Sequence, residues 1–370
     1  MLFLEKVLPA RCFHKMWAFY IKNNSNYDKN RYQYEYVLSP KKQFMYSRGN
    51  KRQYFIFRYT APGAGMMGVA RSVLMNCEWA TQNNMIPLID FEWNCFYKKG
   101  MLDYDNIWEY VFENEGDITE ICLNENNVLV GDISIGGRYC DSHIRKQLNG
   151  SKDKVFTDFG DGNWREHFKN LNYYSSKWWK LKKDVLERYE TTFTRLFQKE
   201  MKILGIVLRE EFSIDKKDIK GTLLEIHPRC LKVDEIIKLA KEYKEKWNCT
   251  HVFVTTYIQD SIELFKEEFG DKVLYTDRKR TKFEDFVCAR KVAEKYYQMN
   301  NENPEEEFRW FHSDDRYAQI TNTYDGETVI EYVEEVYGLS LCDCLLANQS
   351  TGAVAACIWN GGAYRELEII

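Results

Sequence analysis

Cys342-Asp343-Cys344-Leu345-Leu346-Ala347-Asn348-Gln349-Ser350-Thr351-Gly352-Ala353-Val354-Ala355-Ala356 reads as a buried strand that runs into a polar turn and opens a helix of small residues. A helix start of this kind presents free backbone N–H groups and the positive end of the helix dipole, which together hold anions such as phosphate. Ser350 and Thr351 are placed to cap the helix, and Gly352 lets a ligand approach the backbone closely. Many α/β proteins carry the same turn only to cap a helix. Its meaning therefore depends on what the rest of the chain brings beside it.

Upstream, strands and helices alternate. Residues 203–209 form an apolar strand run ending in Arg209, followed by a helix over 233–246, a strand over 251–255, a helix over 261–269, a strand over 272–275, a helix over 328–337 and a strand over 341–347. Alternation of this kind makes a parallel, doubly wound sheet, with ligands beyond the carboxyl ends of its strands. Arg209, Thr255-Thr256, the run Asp277-Arg278-Lys279-Arg280 and the turn Asn348–Gly352 all fall at those ends. A guanidinium matches phosphate oxygens, so Arg209, Arg278, Lys279 and Arg280 with Ser350, Thr351 and Gly352 suit a diphosphate. Glu210 and Glu211 beside Arg209 can serve as a general base, and His227 titrates near neutrality, with Arg229 close to it in sequence. The bland alternative is that these residues belong to ordinary exposed loops.

The amino-terminal half opens with a comparable unit. Tyr54–Tyr59 is strand-like, Gly63, Gly65 and Gly68 punctuate a break, residues 69–82 read as a helix, and Ile86-Pro87-Leu88-Ile89-Asp90 is a second strand ending in an acid. The glycines match the G-x-G-x-x-G spacing, with Asp90 near the ribose-binding position of a dinucleotide fold. Met66 and Met67 stand where a pyrophosphate needs open backbone, which favours a glycine-rich loop facing a cleft. Residues 106–179, rich in tryptophan, show no clear pattern, and a helix over about 182–202 follows. The expected organisation is an extension over residues 1–50, an α/β domain over 51–200 and a second Rossmann-like domain over 201–370.

Composition narrows the function. With 52 Lys and Arg against 56 Asp and Glu, the net charge of −4 supplies no basic field for nucleic acid. Hydrophobic residues make up 44% and aromatic residues 15%, which marks a globular chain. No run approaches the ~18 apolar residues of a membrane span, and Arg11, His14 and Lys15 interrupt the apolar stretch of a secretion signal, so a cytoplasmic location is expected. The 11 cysteines include no CxxC pair, which argues for core thiols over a disulfide framework or a zinc ribbon.

The C-terminal half resembles the fucosyltransferase-like glycosyltransferases, the superfamily that includes protein O-fucosyltransferases and α-1,6-fucosyltransferases. The matching segments are Leu204–Arg209, His227-Pro228, Phe265–Val273, Asp277–Arg280 and Cys342–Ala356. In the amino-terminal half, Gly65–Gly68, Asn84–Asp90 and Trp108–Glu113 look like the family's acceptor-side domain. The resemblance implies two Rossmann-like domains with parallel sheets facing a cleft, the GT-B arrangement. It also implies inverting transfer from a nucleotide sugar such as GDP-fucose, without a metal or other cofactor, to a glycan or lipid-linked acceptor such as capsule or lipopolysaccharide. In that frame Arg209 holds the donor diphosphate, Glu210 or Glu211 is the base, Ser350 and Thr351 face the phosphates, and Glu335 falls near an acid that reads guanine. Gly63, Gly65, Gly68 and Asp90 border the cleft on the acceptor side.

The chain departs from the family pattern in three places. Arg209-Glu210-Glu211-Phe212 stands for Arg-Gly-Thr-Asp, Thr255-Thr256-Tyr257 lacks the acid that follows Ala-Thr, and Gln349 replaces the arginine of an Arg-Thr-Ser-Gly turn. These departures suit a second reading, a non-catalytic binding or scaffold member of the same fold. A third reading is a metal-dependent enzyme using Asp103-Tyr104-Asp105 as a DxD site.

Overall fold

The computed structural model describes residues 53–58, 66–82, 84–91, 106–118, 120–121, 128–132, 163–208, 233–282, 284, 326–348 and 350–370. A first parallel sheet has the order β2-β1-β3, with β1 at Gln53–Arg58, β2 at Met85–Asp90 and β3 at Val128–Asp132. Helix α1 (Met66–Gln82) connects β1 to β2. Helices α2 (Trp164–Trp178) and α3 (Lys183–Leu196) precede the second sheet.

That sheet has the order β6-β5-β4-β7-β8, and every neighbouring pair is parallel. Its strands are β4 (Ile203–Val207), β5 (His251–Thr255), β6 (Val273–Leu274), β7 (Cys344–Ala347) and β8 (Glu366–Ile369). Helices α4 (Val233–Lys246), α5 (Gln259–Phe269), α6 (Gly326–Ser340) and α7 (Thr351–Asn360) lie between them in sequence. The chain builds outward from β4 to β5 and β6, then returns to the other side of β4 for β7 and β8. The strand order therefore reverses between β4 and β7, the switch point at which open α/β sheets bind ligands.

The apolar runs explain this sheet. Leu204, Ile206, Val252, Val254, Cys344 and Leu346 enter one core cluster with Ile236, Ile262 and Phe265 of α4 and α5. The intervening Ile203, Phe253, Leu345 and Ala347 enter another with residues of α3, α6 and α7. Strands covered on both faces need no polar alternation, and β4 and β7 have none. Cys342 and Cys344, two positions apart at the start of β7, enter different clusters. Gly205 lets α6 close on β4, since a Cβ there would lie 3.1 Å from both Leu339 Cδ2 and Cys342 Sγ.

Helices α2 and α3, upstream of residue 201, join this second assembly. Phe193 of α3 packs edge-on against Phe253 of β5, with ring centroids 5.7 Å apart, and the Tyr189 hydroxyl donates to the Ile330 carbonyl at 2.6 Å. Arg165 of α2 donates to the carbonyls of Gly362 and Tyr364, fixing the chain before β8. Helix α7 is apolar nearly all round, with Gly352–Ile358 buried, because α1, α2 and α6 surround it. One apolar cluster thus runs from Phe55 in the first sheet to Tyr364 beside the second. Among the described residues, no helix is long and apolar enough to cross a membrane.

Candidate functional site

The carboxyl end of β7 leads through Asn348 into the start of α7. Ser350 is the N-cap: its backbone is extended at φ −131° and ψ 157°, and its hydroxyl accepts from the Ala353 N–H at 3.2 Å. Thr351 is exposed, and the N–H groups of Thr351 and Gly352 have no acceptor within the helix, as at every helix start. Gly352 is buried beneath Tyr332 of α6, whose hydroxyl lies 3.0 Å from where a Cβ would stand. Asn348 is 2% exposed, and among the described residues its Oδ1 has no hydrogen-bond partner. A buried acceptor left without a partner is costly. Here it stands beside the start of α7 at the switch point.

Beyond β6 the chain runs Thr276-Asp277-Arg278-Lys279-Arg280 outside any helix or strand, and burial alternates along it. Asp277 and Lys279 face solvent, whereas Arg278 and Arg280 turn inward onto one carboxylate. Arg278 Nη1 reaches Glu335 Oε2 at 2.7 Å, Arg280 Nη2 reaches Glu335 Oε1 at 2.7 Å, and the Thr276 hydroxyl donates to the same Oε1 at 3.2 Å. The three charged side chains are 2–3% exposed. Burial alone would lower the Arg278 pKa, and the Glu335 carboxylate reverses this and raises it. The Glu331 carboxylate, one turn earlier on α6, also interacts with Arg278, so the two guanidiniums are matched by two carboxylates. Among the described residues, both Nε atoms lack acceptors.

The arginine cluster connects to the helix start through aromatic rings. The Arg278 guanidinium lies 4.4 Å from the Tyr257 ring centroid and 5.7 Å from that of Tyr332. Tyr257 and Tyr332 are 6.2 Å apart and 24° from parallel. A continuous wall therefore runs from Gly352 through Tyr332 to Tyr257 and Arg278. Also on α6, Glu334 accepts from the Thr192 hydroxyl at 2.8 Å, and burial holds its carboxyl above the usual range.

The first sheet contributes from the facing side. Gly68 lies in the first turn of α1, and a Cβ on it would sit 3.6 Å from Thr351 Cγ2, so the two helix starts touch. Met66 and Met67, the first two residues of α1, are fully buried in the core. Asp90 ends β2 at 6% exposure, and both its neighbours are clamped. Asn106 Oδ1 accepts from Phe91 N at 2.9 Å, Asn114 Oδ1 accepts from Ile89 N at 3.0 Å, and both side-chain amides donate to Glu109 Oε1.

Of the residues expected at the site, Arg278, Arg280 and Glu335 are brought together on one another, and Ser350, Thr351, Gly352 and Gly68 meet at the paired helix starts. Lys279 points outward. Arg209, Glu210, Glu211, His227, Arg229, Gly63 and Gly65, and the Asp103–Asp105 motif, lie outside the described residues. Leu208, the last described residue of the segment that contains β4, donates its N–H to Thr255 O at 3.0 Å. Among the described residues no cluster of three or more His, Cys, Asp or Glu side chains forms a metal site. Sequence reasoning did not single out Tyr332, because nothing local shows that a helix tyrosine will cover a glycine twenty positions later.

No family model and no curated protein matches the chain. Among solved structures, it is similar to fucosyltransferase NodZ from Bradyrhizobium, at 11% identity over 83% of this chain and 92% of that one, with a TM-score of 0.41. It is likewise similar to NodZ alpha-1,6-fucosyltransferase co-crystallized with GDP, at 11% identity over the same shares and a TM-score of 0.43. POFUT1 in complex with GDP is similar at 10% identity over 87% of this chain and 99% of that one, with a TM-score of 0.46.

Proposed function

We propose that this chain is a glycosyltransferase that binds a nucleotide-sugar donor at the carboxyl edge of the second sheet, with the diphosphate on the start of α7. The observation that carries this reading is the start of α7, capped by Ser350 with the N–H groups of Thr351 and Gly352 left without an acceptor in the helix, at the β4/β7 switch point. The wall of Tyr332 and Tyr257 supports a flat ligand there. The ordered motifs from Leu204 to Ala356 support a fucosyltransferase-like, GT-B, inverting enzyme acting without a metal, with GDP-fucose as the first donor to test.

In this reading the leaving diphosphate gains charge as the glycosidic bond breaks, and the donors already aimed at it lower the barrier. Arg209, two residues after β4 in sequence, and the N–H groups of Thr351 and Gly352 supply those donors. Glu210 or Glu211 takes the proton from an acceptor hydroxyl. The acceptor is a glycan or lipid-linked oligosaccharide entering past Gly68 and Asp90, and the setting is the cytoplasmic face of a membrane.

The test is release of nucleotide from GDP-fucose and other GDP- and UDP-sugars by wild type and Arg209→Ala. Turnover in the wild type alone supports the reading, and equal background in both contradicts it. Turnover that falls away in excess chelator contradicts the metal-free part. A second reading, a binding protein without turnover, draws on one observation: Arg278, Arg280 and Glu335 spend their charges on one another. Donor binding with no release from any donor would favour it.

A further inference from the structure

Tyr257 is 39% exposed, although it sits on one of the most constrained turns of the sheet edge. The preceding Thr256 is 2% exposed, and its hydroxyl accepts from Ile258 N at 3.0 Å. Thr281 N donates to Tyr257 O at 3.0 Å, and Gln259 N donates to Thr281 O at 2.9 Å, so the backbone is bridged on both sides of the ring. Arg278 holds the ring itself at 4.4 Å, and Glu335 fixes Arg278 in turn. An exposed aromatic ring is normally mobile. This one is held by Arg278 and still leaves 39% of its surface exposed at the carboxyl edge of the sheet.

We propose that Tyr257 is the stacking platform for the base of the nucleotide donor, an inference that rests on the diphosphate site at the α7 start. The spacing favours a base over a sugar ring from the acceptor. The platform lies one tyrosine away from Gly352, through Tyr332, and in a nucleotide one ribose separates the base from its first phosphate. Both oxygens of Glu335 are already held by Arg278, Arg280 and Thr276, which leaves that carboxylate engaged when a base arrives. Recognition then rests on stacking, which tolerates any base because every base has a π face.

The experiment is calorimetric titration of the full chain with GDP, ADP, UDP and inorganic pyrophosphate, for wild type, Tyr257→Ala and Tyr257→Phe. Loss of one stacked base is expected to weaken GDP binding by about ten-fold in Tyr257→Ala. Pyrophosphate binding is expected to stay unchanged, which also reports that the variant is folded. Tyr257→Phe keeps the ring and is expected to bind GDP as wild type does, and wild-type affinities for GDP and ADP are expected to agree within about ten-fold. GDP binding unaffected by Tyr257→Ala, alongside normal pyrophosphate binding, overturns the platform and leaves the diphosphate site standing. A wild type that binds neither GDP nor pyrophosphate overturns both.

Discussion

Two helix starts touch in this molecule, and they are built in opposite ways. Helix α1 follows a glycine-rich break with the spacing of a nucleotide-binding loop, yet Met66 and Met67 sink fully into the core and fill its first turn. Helix α7 follows a less distinctive turn. Its cap is a serine, its first residue is exposed, and the asparagine before it is buried with an unpartnered oxygen. Glycine spacing makes a close approach feasible, but the side chains of the first turn decide whether anything can approach. In this chain the start with the weaker motif is the open one.

The contrast can be broken from either side, and the largest effect is expected behind the α7 start. Glu335→Gln removes the carboxylate that both Arg278 and Arg280 contact, so a loss of about 3–5 kcal/mol is expected from urea unfolding. Met67→Ala is expected to cost about 2–5 kcal/mol, as for other fully buried side chains. Its binding of pyrophosphate should match wild type at a temperature where it is folded, and weakened binding would mean that α1 takes part in the site. Ser350→Ala removes the cap and is expected to cost about 1 kcal/mol. Unlike Met67→Ala, it should also weaken pyrophosphate several-fold in the same titration.

Legibility in the sequence followed the same division between local and distant causes. Helix α4 and strand β5 were readable to the residue, because α4 carries Asp234 and Glu235 in its first turn and Lys244 and Lys246 in its last, and β5 is a plain β-branched and aromatic run. Helix α2 was not read. Its buried positions Phe168, Leu171, Ser175 and Trp178 do recur at helical spacing, but Ser175 in that stripe and the asparagines and tyrosines around it blur the pattern. The cap at Ser350 was legible because a cap is local chemistry. The fate of Arg278 and Arg280 was not, since the carboxylate that turns them inward lies more than fifty residues away in sequence. A run such as Asp-Arg-Lys-Arg reads as a basic surface until the fold supplies an inward partner.

The most direct test of the account is one substitution whose effects on stability and on binding have opposite signs. Thr351→Asp places a carboxylate in the first turn of α7, where the helix dipole favours it by about 0.3–1 kcal/mol. The same charge occupies the place assigned to the donor diphosphate. Measured together by thermal unfolding and by titration with GDP and pyrophosphate, the variant is expected to be at least as stable as wild type and to bind both ligands at least about ten-fold more weakly. Undiminished binding of GDP and pyrophosphate by Thr351→Asp would contradict the assignment of the α7 start as the diphosphate site.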